Sequence, residues 1–483
     1  MRIAIVHYHL KRGGVTRVIE TTLAALNVAG VNHEVVILAG DLPDGISFHE
    51  KCRVVSGLQY SNAQEATPKG TELVDLLESA ARDALGCLPD VWHIHNHSLG
   101  KNSSMPAVVE QLAQSGARLL LQMHDFAEDG RPDNHRLNQL EGAKLYPIAS
   151  HLHYACINGR DAGYLARAGF GQQLHLLPSP VKGPPLRSND QSTEILEALD
   201  CRELLLYPVR AVRRKNFGEV LLWATCLQEG QALATTLGPT NRNFEASYAR
   251  WQTLSAELGL PLHFGIGERS EWSFTSIMSC ASAIINTSIA EGFGLAFLEP
   301  WLFQRPIIGR DLPAITKDFK ERGIRLEGLY SSLRIPESWI HLDLLESKLH
   351  DGLQSAYDAY GIAMPTDAVG RARAGITPEP GFLDFGGLDE DLQESVIRRV
   401  SKDKAAGRGI SQQLPIEKKP DTERIKANAA TIKEHYNLEA YGKRISALYS
   451  KIAHSEKSSI TTIDPNQILQ HYLKPENFRL LRT

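Results

Sequence analysis

Cysteine is scarce and scattered. Cys52, Cys87, Cys156, Cys201, Cys226 and Cys280 are the only six, with no CxxC pair among them. That excludes a zinc knuckle, a dithiol redox motif and a disulfide-stapled scaffold, and it points to a reducing compartment, the cytoplasm. Long apolar runs are missing too, since no window approaches the roughly 20 residues that cross a bilayer. The opening run, Ile3 to Val6, is broken at once by His7, Tyr8 and His9, so it reads as a buried strand rather than a signal peptide. Membrane association is not expected. Nor is there an excess of positive charge: 52 Lys+Arg stand against 56 Asp+Glu, a formal charge of -4. The basic footprint that nucleic-acid backbones demand is therefore absent, and no nucleic-acid partner is expected. What is present, 42% hydrophobic and 22% charged residues over a length of 483, is the composition of an ordinary folded protein of two large or three smaller domains.

Short apolar runs alternate with longer amphipathic stretches, the pattern that wraps helices around a parallel sheet. In the first part the expected strands are Ile3 to Val6, Glu34 to Leu38, Val91 to His95, Leu119 to Met123 and Tyr154 to Ile157. Helices are expected at Val15 to Val28, Thr71 to Leu85, Pro106 to Ser115 and Ala162 to Ala168. The stretch from Lys182 to about Thr193 is rich in Pro, Gly, Ser and Asn and reads as a linker. A second set follows, with strands Glu203 to Pro208, Ala232 to Leu237, Pro261 to Phe264, Ala283 to Asn286 and Pro306 to Gly309. Its helices are Phe217 to Gln228, Asn243 to Leu258, Phe274 to Cys280 and Leu295 to Phe303. Beyond Asp311 the pattern loosens into an elaboration of this second half, with a long helix at Leu342 to Tyr360. The tail beyond Lys402 has a local basic excess that reads as a solvated face. This organises the chain as residues 1–182, a linker 183–202, residues 203–433 and a final segment 434–483. The sequence carries no signal for an oligomeric state.

Three segments carry residues suited to chemistry. Ser288 to Pro300 contains Glu291, Gly292, Phe293, Gly294, Leu295 and Glu299, a turn between a strand and a helix where free backbone N–H groups can face an anion. Its glycines let a ligand lie against the backbone. Glu299, about one turn into that helix, can accept hydrogen bonds from vicinal hydroxyls such as those of a ribose. Tyr207 to Phe217 places Arg210, Arg213, Arg214 and Lys215 at the carboxyl end of the second half's first strand, the edge where open α/β sheets bind ligands. A guanidinium fork and an ammonium together suit a diphosphate, and at least one of Arg213 and Arg214 is expected to face water. Lys11 to Arg17 holds Gly13 and Gly14 after the first strand, without the third glycine of a dinucleotide fingerprint.

Together these segments resemble the family 4 retaining glycosyltransferases. The Glu-x7-Glu motif is Glu291 and Glu299, the Arg-x4-Lys pair is Arg210 and Lys215, and the amino-terminal loop is Gly13-Gly14. The resemblance spans about Met1 to Gly309 and resumes at Tyr436 to Ile452. It implies the α/β GT-B fold: two facing Rossmann-like, doubly wound domains with a carboxyl-terminal helix crossing back to the first. It also implies a nucleotide-diphosphate sugar held mainly by the second domain, a hydroxyl acceptor held mainly by the first, and catalysis in the cleft between them. Carried over, Glu299 would bind the donor ribose. Glu291 and the amides of Gly292 to Leu295 would contact the donor sugar and phosphate, and Arg210 and Lys215 would stabilise the departing diphosphate. His124, beside Asp125 at the end of a first-domain strand, matches the family's histidine that lies against the donor sugar.

No cofactor and no essential metal are expected. His93, His95 and His97 alternate along one strand, but same-face neighbours there sit roughly 7 Å apart and do not easily meet at one tetrahedral ion. Asp389-Glu390-Asp391 fits a DxD pattern, yet reads as the acidic start of a helix. Nor does a carboxylate pair stand out as the nucleophile and acid of a glycosidase. Pro300 replaces the Ala that commonly follows the second Glu of the motif. Residues before Lys182 carry slightly more acidic than basic side chains, so the basic face of members that work on anionic membranes is missing. The expected acceptor is small and soluble: a sugar, a sugar phosphate or a glycerate-type compound. The alternatives are another GT-B enzyme, either a nucleotide-sugar epimerase or a sugar phosphorylase, and a non-catalytic nucleotide-sugar-binding protein.

Overall fold

The structure is a computed structural model that describes residues 1–61, 68–139, 142, 144–184, 191–416 and 421–482. Residues 185–190 of the expected linker lie outside the described residues. The chain folds into two units. One takes Met1–Pro180, Ala356–Ile362 and His435–Lys474; the other takes Val181–Ser355, Ala363–Glu434 and Pro475–Thr483.

The first unit contains β1 (Arg2–His7), β2 (Glu34–Ala39), β3 (Cys52–Val54), β4 (Val91–His95), β5 (Leu119–Met123), β6 (Tyr146–Ile148), β7 (Leu152–Cys156) and β8 (Leu174–Leu176). Seven of these form a sheet in the order β3-β2-β1-β4-β5-β7-β8, with every pairing parallel. Parallel strands are covered on both faces, which is why β1 and β5 read as continuous apolar runs rather than alternating ones. The alternate residues of β1 divide between two cores, Ala4 and Val6 on one side, Ile3 and Ile5 on the other. Helices Gly70–Leu85 and Met105–Ser115 cover the first side. The second is covered by Gly14–Val28 and, from far along the chain, by Leu438–Ala453. Tyr441, Ile445, Leu448, Tyr449 and Ile452 recur with helical period and are all buried there. Where these two helices meet, a Cβ on Gly442 would stand 2.2 Å from the Ala25 carbonyl oxygen, so only glycine allows the approach.

The second unit contains β9 (Glu203–Arg210), β10 (Gln231–Leu237), β11 (Leu262–His263), β12 (Ala283–Asn286), β13 (Ile307–Arg310) and β14 (Leu329–Tyr330). They form one parallel sheet in the order β11-β10-β9-β12-β13-β14. Helix Ser192–Ala198 packs under it through Ile195. A buried ionic knot ties β13 to the later elaboration: Arg310 meets Glu219 at 2.5 Å and Asp384 at 2.8 Å, and Tyr330 donates to Glu219 at 2.7 Å. Among the described residues no helix is long and apolar enough to cross a membrane.

Candidate active site

The expected site residues fall into two sets, each at the carboxyl edge of a sheet. In the second unit, β9 leads through Arg210 into a short 3-10 turn, Arg213–Lys215, closed by Asn216 at φ 53°. Alongside, β12 leads into Thr287 to Glu291. The two loops are stitched together by the Ile289 amide, which donates to the Arg214 carbonyl at 2.9 Å, and by Thr287 Oγ1, which donates to the Lys215 carbonyl at 2.8 Å.

That stitching brings Lys215 onto Glu291. Lys215 Nζ donates to Glu291 Oε1, Arg214 donates to Oε2 at 3.0 Å and to the Ala290 carbonyl at 2.8 Å, and Ser288 Oγ donates to Oε1 at 2.7 Å. Ser288 is itself held 2.6 Å from the Tyr207 hydroxyl. The Lys215 and Glu291 side chains are only 12% and 10% exposed. Burial would push the Glu291 carboxyl up, but Lys215, Arg214 and Ser288 overcome it and hold the group below the usual carboxylate range. Burial pulls the Lys215 ammonium down, with Arg214 adding to the effect and Glu291 opposing it. Burying two opposite charges costs several kcal/mol per ion before they pair. The result is a nearly buried ion pair at the carboxyl edge of the second sheet.

Arg210 is not part of this cluster. It is exposed at the end of β9 and donates to Thr240 Oγ1 at 2.8 Å. Arg213 lies 3.5 Å from Glu390, while Arg214, its side chain 44% exposed, faces water and holds Glu291 at once. Gly292 is half-buried and Phe293 is buried, its ring edge-on to Phe319 at 5.7 Å. Gly294 sits at φ +85°, where a Cβ would also crowd Ile315 at 2.9 Å. The helix expected over Leu295 to Phe303 is interrupted. Leu295–Phe297 is a 3-10 turn, and a four-residue helix, Glu299–Leu302, follows it. Leu298 breaks the run at φ -114° and Pro300 fits the first turn of the new segment, where its missing N–H costs nothing. Half-buried Glu299 therefore opens that segment instead of lying one turn into a longer helix.

In the first unit, His124 follows β5. Its backbone N–H donates to Asn96 Oδ1 at 2.7 Å, and its Nε2 lies 2.9 Å from His95 Nδ1. Burial lowers the His124 pKa to about 4, so the ring is a neutral donor or acceptor at ordinary pH. The three alternating histidines part company. His93 bonds Tyr449 and Gln122, each at 2.8 Å, and His95 bonds His124. His97 lies past the strand, beyond Asn96 at φ 55°, and bonds the Leu145 carbonyl at 2.9 Å. Among the described residues no group of three or more His, Cys, Asp or Glu is arranged to hold a metal ion. Asp389 caps helix Glu390–Lys402 by accepting from the Leu392 amide at 3.0 Å. Gly13 and Gly14, both exposed, open helix Gly14–Val28, whose cap carries no side-chain hydrogen bond.

Sequence reasoning missed Arg214, Ser288 and Tyr207 as members of the Glu291 cluster, and His95 and His7 as neighbours of His124. The rings of His7 and His95 lie 6.1 Å apart. The one signal available was position: all but Tyr207, which lies within β9, are at or just past the ends of strands.

The fold is the α/β GT-B fold of glycosyltransferases. Solved structures with this architecture include a glycosyltransferase from Rickettsia africae, with a TM-score of 0.54 and 13% identity over 94% of this chain and 99% of that one. Anabaena HepE, solved with UDP and glucose, gives a TM-score of 0.53 and 11% identity over 93% and 99%. In sequence the chain is 24% identical to the mannosylglucosyl-3-phosphoglycerate synthase of Petrotoga mobilis, over 99% of this chain and 98% of that protein. No protein-family profile matches it.

Proposed function

We propose that the protein is a retaining, metal-independent hexosyltransferase of the family 4 type. It moves a hexose from a nucleoside diphosphate to a hydroxyl of a small soluble acceptor in the cytoplasm. The observation that carries this reading is the poised Lys215–Glu291 pair at the carboxyl edge of the second sheet. As the anomeric C–O bond breaks, negative charge grows on the departing phosphate and positive charge on the sugar. Lys215, with Arg214 beside it on the same loop, supplies fixed cations for the former without a metal. Glu291 and the Gly292 to Leu295 backbone face the sugar and phosphate, Glu299 takes the ribose hydroxyls, and His124 takes a sugar hydroxyl. The acceptor oxygen attacks the face the diphosphate leaves, and its proton passes to a departing phosphate oxygen.

The full-length likeness to the Petrotoga protein favours an acceptor built on 3-phosphoglycerate, either free or already glycosylated. The test is to incubate the full chain with UDP- and GDP-linked hexoses and such acceptors in EDTA, then read the product by mass spectrometry and its anomeric configuration by NMR. A glycoside with the donor's configuration is expected. An epimerised donor or phosphate-dependent cleavage would overturn the reading in favour of another GT-B enzyme, and tight binding without turnover in favour of a non-catalytic binder.

A further inference from the structure

Two residues in the first unit, Tyr60 and Lys101, have no part in the chemistry above. Tyr60 follows β3 and Lys101 follows β4. Lys101 Nζ stands 5.5 Å from the centre of the Tyr60 ring, which His9 and Tyr8 meet edge-on at 4.9 and 5.4 Å. Tyr60 remains 40% exposed. A surface ammonium resting over an open ring would ordinarily lose this arrangement to side-chain entropy. Here the two loops that carry the residues are tied to each other. The Ser61 amide donates to the Lys101 carbonyl at 2.8 Å, and the Ser103 amide donates to Ser61 Oγ at 3.1 Å. Fully buried Asn102 donates to the carbonyls of Gly57 at 2.8 Å and Gln59 at 2.7 Å while accepting from the Ser104 amide at 3.0 Å.

Among the described residues, the charge around the pair is unbalanced. Asp125, whose field reaches Tyr60, is taken by Arg131 at 2.7 Å. Asp41, whose field reaches His9, is taken by Lys11 at 2.5 Å. Among the described residues no carboxylate pairs with Lys101. An organised cation over an exposed aromatic face, with its neighbouring carboxylates already neutralised, is matched by a small ligand with an anionic group beside a hydroxylated carbon skeleton.

We propose that Lys101 and Tyr60, on two loops tied together by Asn102, form the seat for the phosphate of a phosphorylated acceptor. This rests on the proposed function and makes Lys101 a determinant of acceptor specificity, separate from the donor-binding cluster.

Calorimetry on the full chain tests it, with 3-phosphoglycerate and glycerate as probes, UDP as control, and K101A and K101R as variants. The wild type should bind 3-phosphoglycerate at least tenfold tighter than glycerate, with an affinity that falls as salt rises. K101A should lose about tenfold of that preference and K101R should keep most of it, while UDP affinity stays within twofold in all three. An unchanged preference in K101A, no binding of 3-phosphoglycerate by the wild type, or a parallel loss of UDP would overturn the assignment. If the seat behaves as stated and no donor and acceptor pair yields product, the anion seat stands and the glycosyltransferase reading falls. If transfer occurs while K101A keeps its preference, the reverse holds.

Discussion

Glu291 accepts from a lysine, an arginine and a serine at once, and each donor does a different job. Ser288 fixes the carboxylate's orientation, Arg214 ties it to the loop, and Lys215 carries the charge an arriving phosphate would meet. In the proposed reaction negative charge grows on the phosphate as the diphosphate departs, so Lys215→Ala should lower kcat by about 100- to 1000-fold, roughly 3 to 4 kcal/mol. The dissociation constant for free nucleoside diphosphate should move by less than about threefold. Steady-state rates and calorimetry decide, and equal losses in both would remove Lys215 from the transition state. The same variant has a pH signature. Burial pushes Glu291 up and Lys215 is the first of the groups that pull it down, so its removal raises the carboxyl's pKa. The acid limb of the residual activity should shift to higher pH than in the wild type. Glu299→Ala should act the other way round, weakening nucleoside diphosphate binding by about tenfold and kcat less, as isothermal titration with UDP would show. The pairing of Lys215 with Glu291 could be suspected from the sequence because both sit just past strand ends. The choice of Arg214 over Arg210 could not, since it depends on one hydrogen bond, from the Ile289 amide to the Arg214 carbonyl, that holds one arginine beside the carboxylate while Arg210 reaches Thr240.

Among elements, the long ones were legible and the short ones were not. β1, β4, β5, β9 and β12 announce themselves as apolar runs, and Gly14–Val28 and Gly70–Leu85 as amphipathic periods. Three-residue β3, β6 and β8 have no period to read, and the interruption at Leu298 depends on a local φ and a following proline rather than on hydrophobic pattern. The buried histidines of the first unit give it a distinctive acid response. Burial holds His7 and His93 at a pKa of about 3 and His97 at about 4, against about 6.5 in the unfolded chain. Between those values the unfolded chain binds protons that the folded chain refuses. Stability therefore rises with pH across this window and is lost as pH falls below about 6.5. Melting temperature should be level above pH 7 and drop steadily from pH 6.5 to 4.5. A flat profile in thermal denaturation would mean that these imidazoles are not buried as described. At the Gly442 contact, Gly442→Ala should cost about 1 to 3 kcal/mol by forcing helix Leu438–Ala453 off Gly14–Val28, read as a lower denaturation midpoint.

At the scale of the whole molecule, the order of the chain and the order of the units disagree. Met1–Pro180 supplies the entire seven-stranded sheet of the first unit, yet one face of that sheet is covered by a helix that arrives more than 250 residues later. Tyr441, Ile445, Leu448, Tyr449 and Ile452 from that helix are buried against Ile3, Ile5 and Ile37, and Tyr449 and Tyr441 reach His93 and Thr22. A fragment ending at residue 180 would keep helix Gly14–Val28 but open to water the part of this face that Leu438–Ala453 covers, an apolar patch that soluble monomers rarely tolerate. It should express as an aggregate or a loosely packed species. Residues 1–180 joined through a flexible linker to residues 435–474 restore both faces and should give a monomer with dispersed NMR amide signals. The last nine residues belong to the other unit, where Leu480 and Leu481 are buried, so the joined fragment should not need them. A well-folded 1–180 fragment would show that the late helix is an accessory rather than part of the core, and an unfolded joined fragment would show that the first unit needs the second to fold.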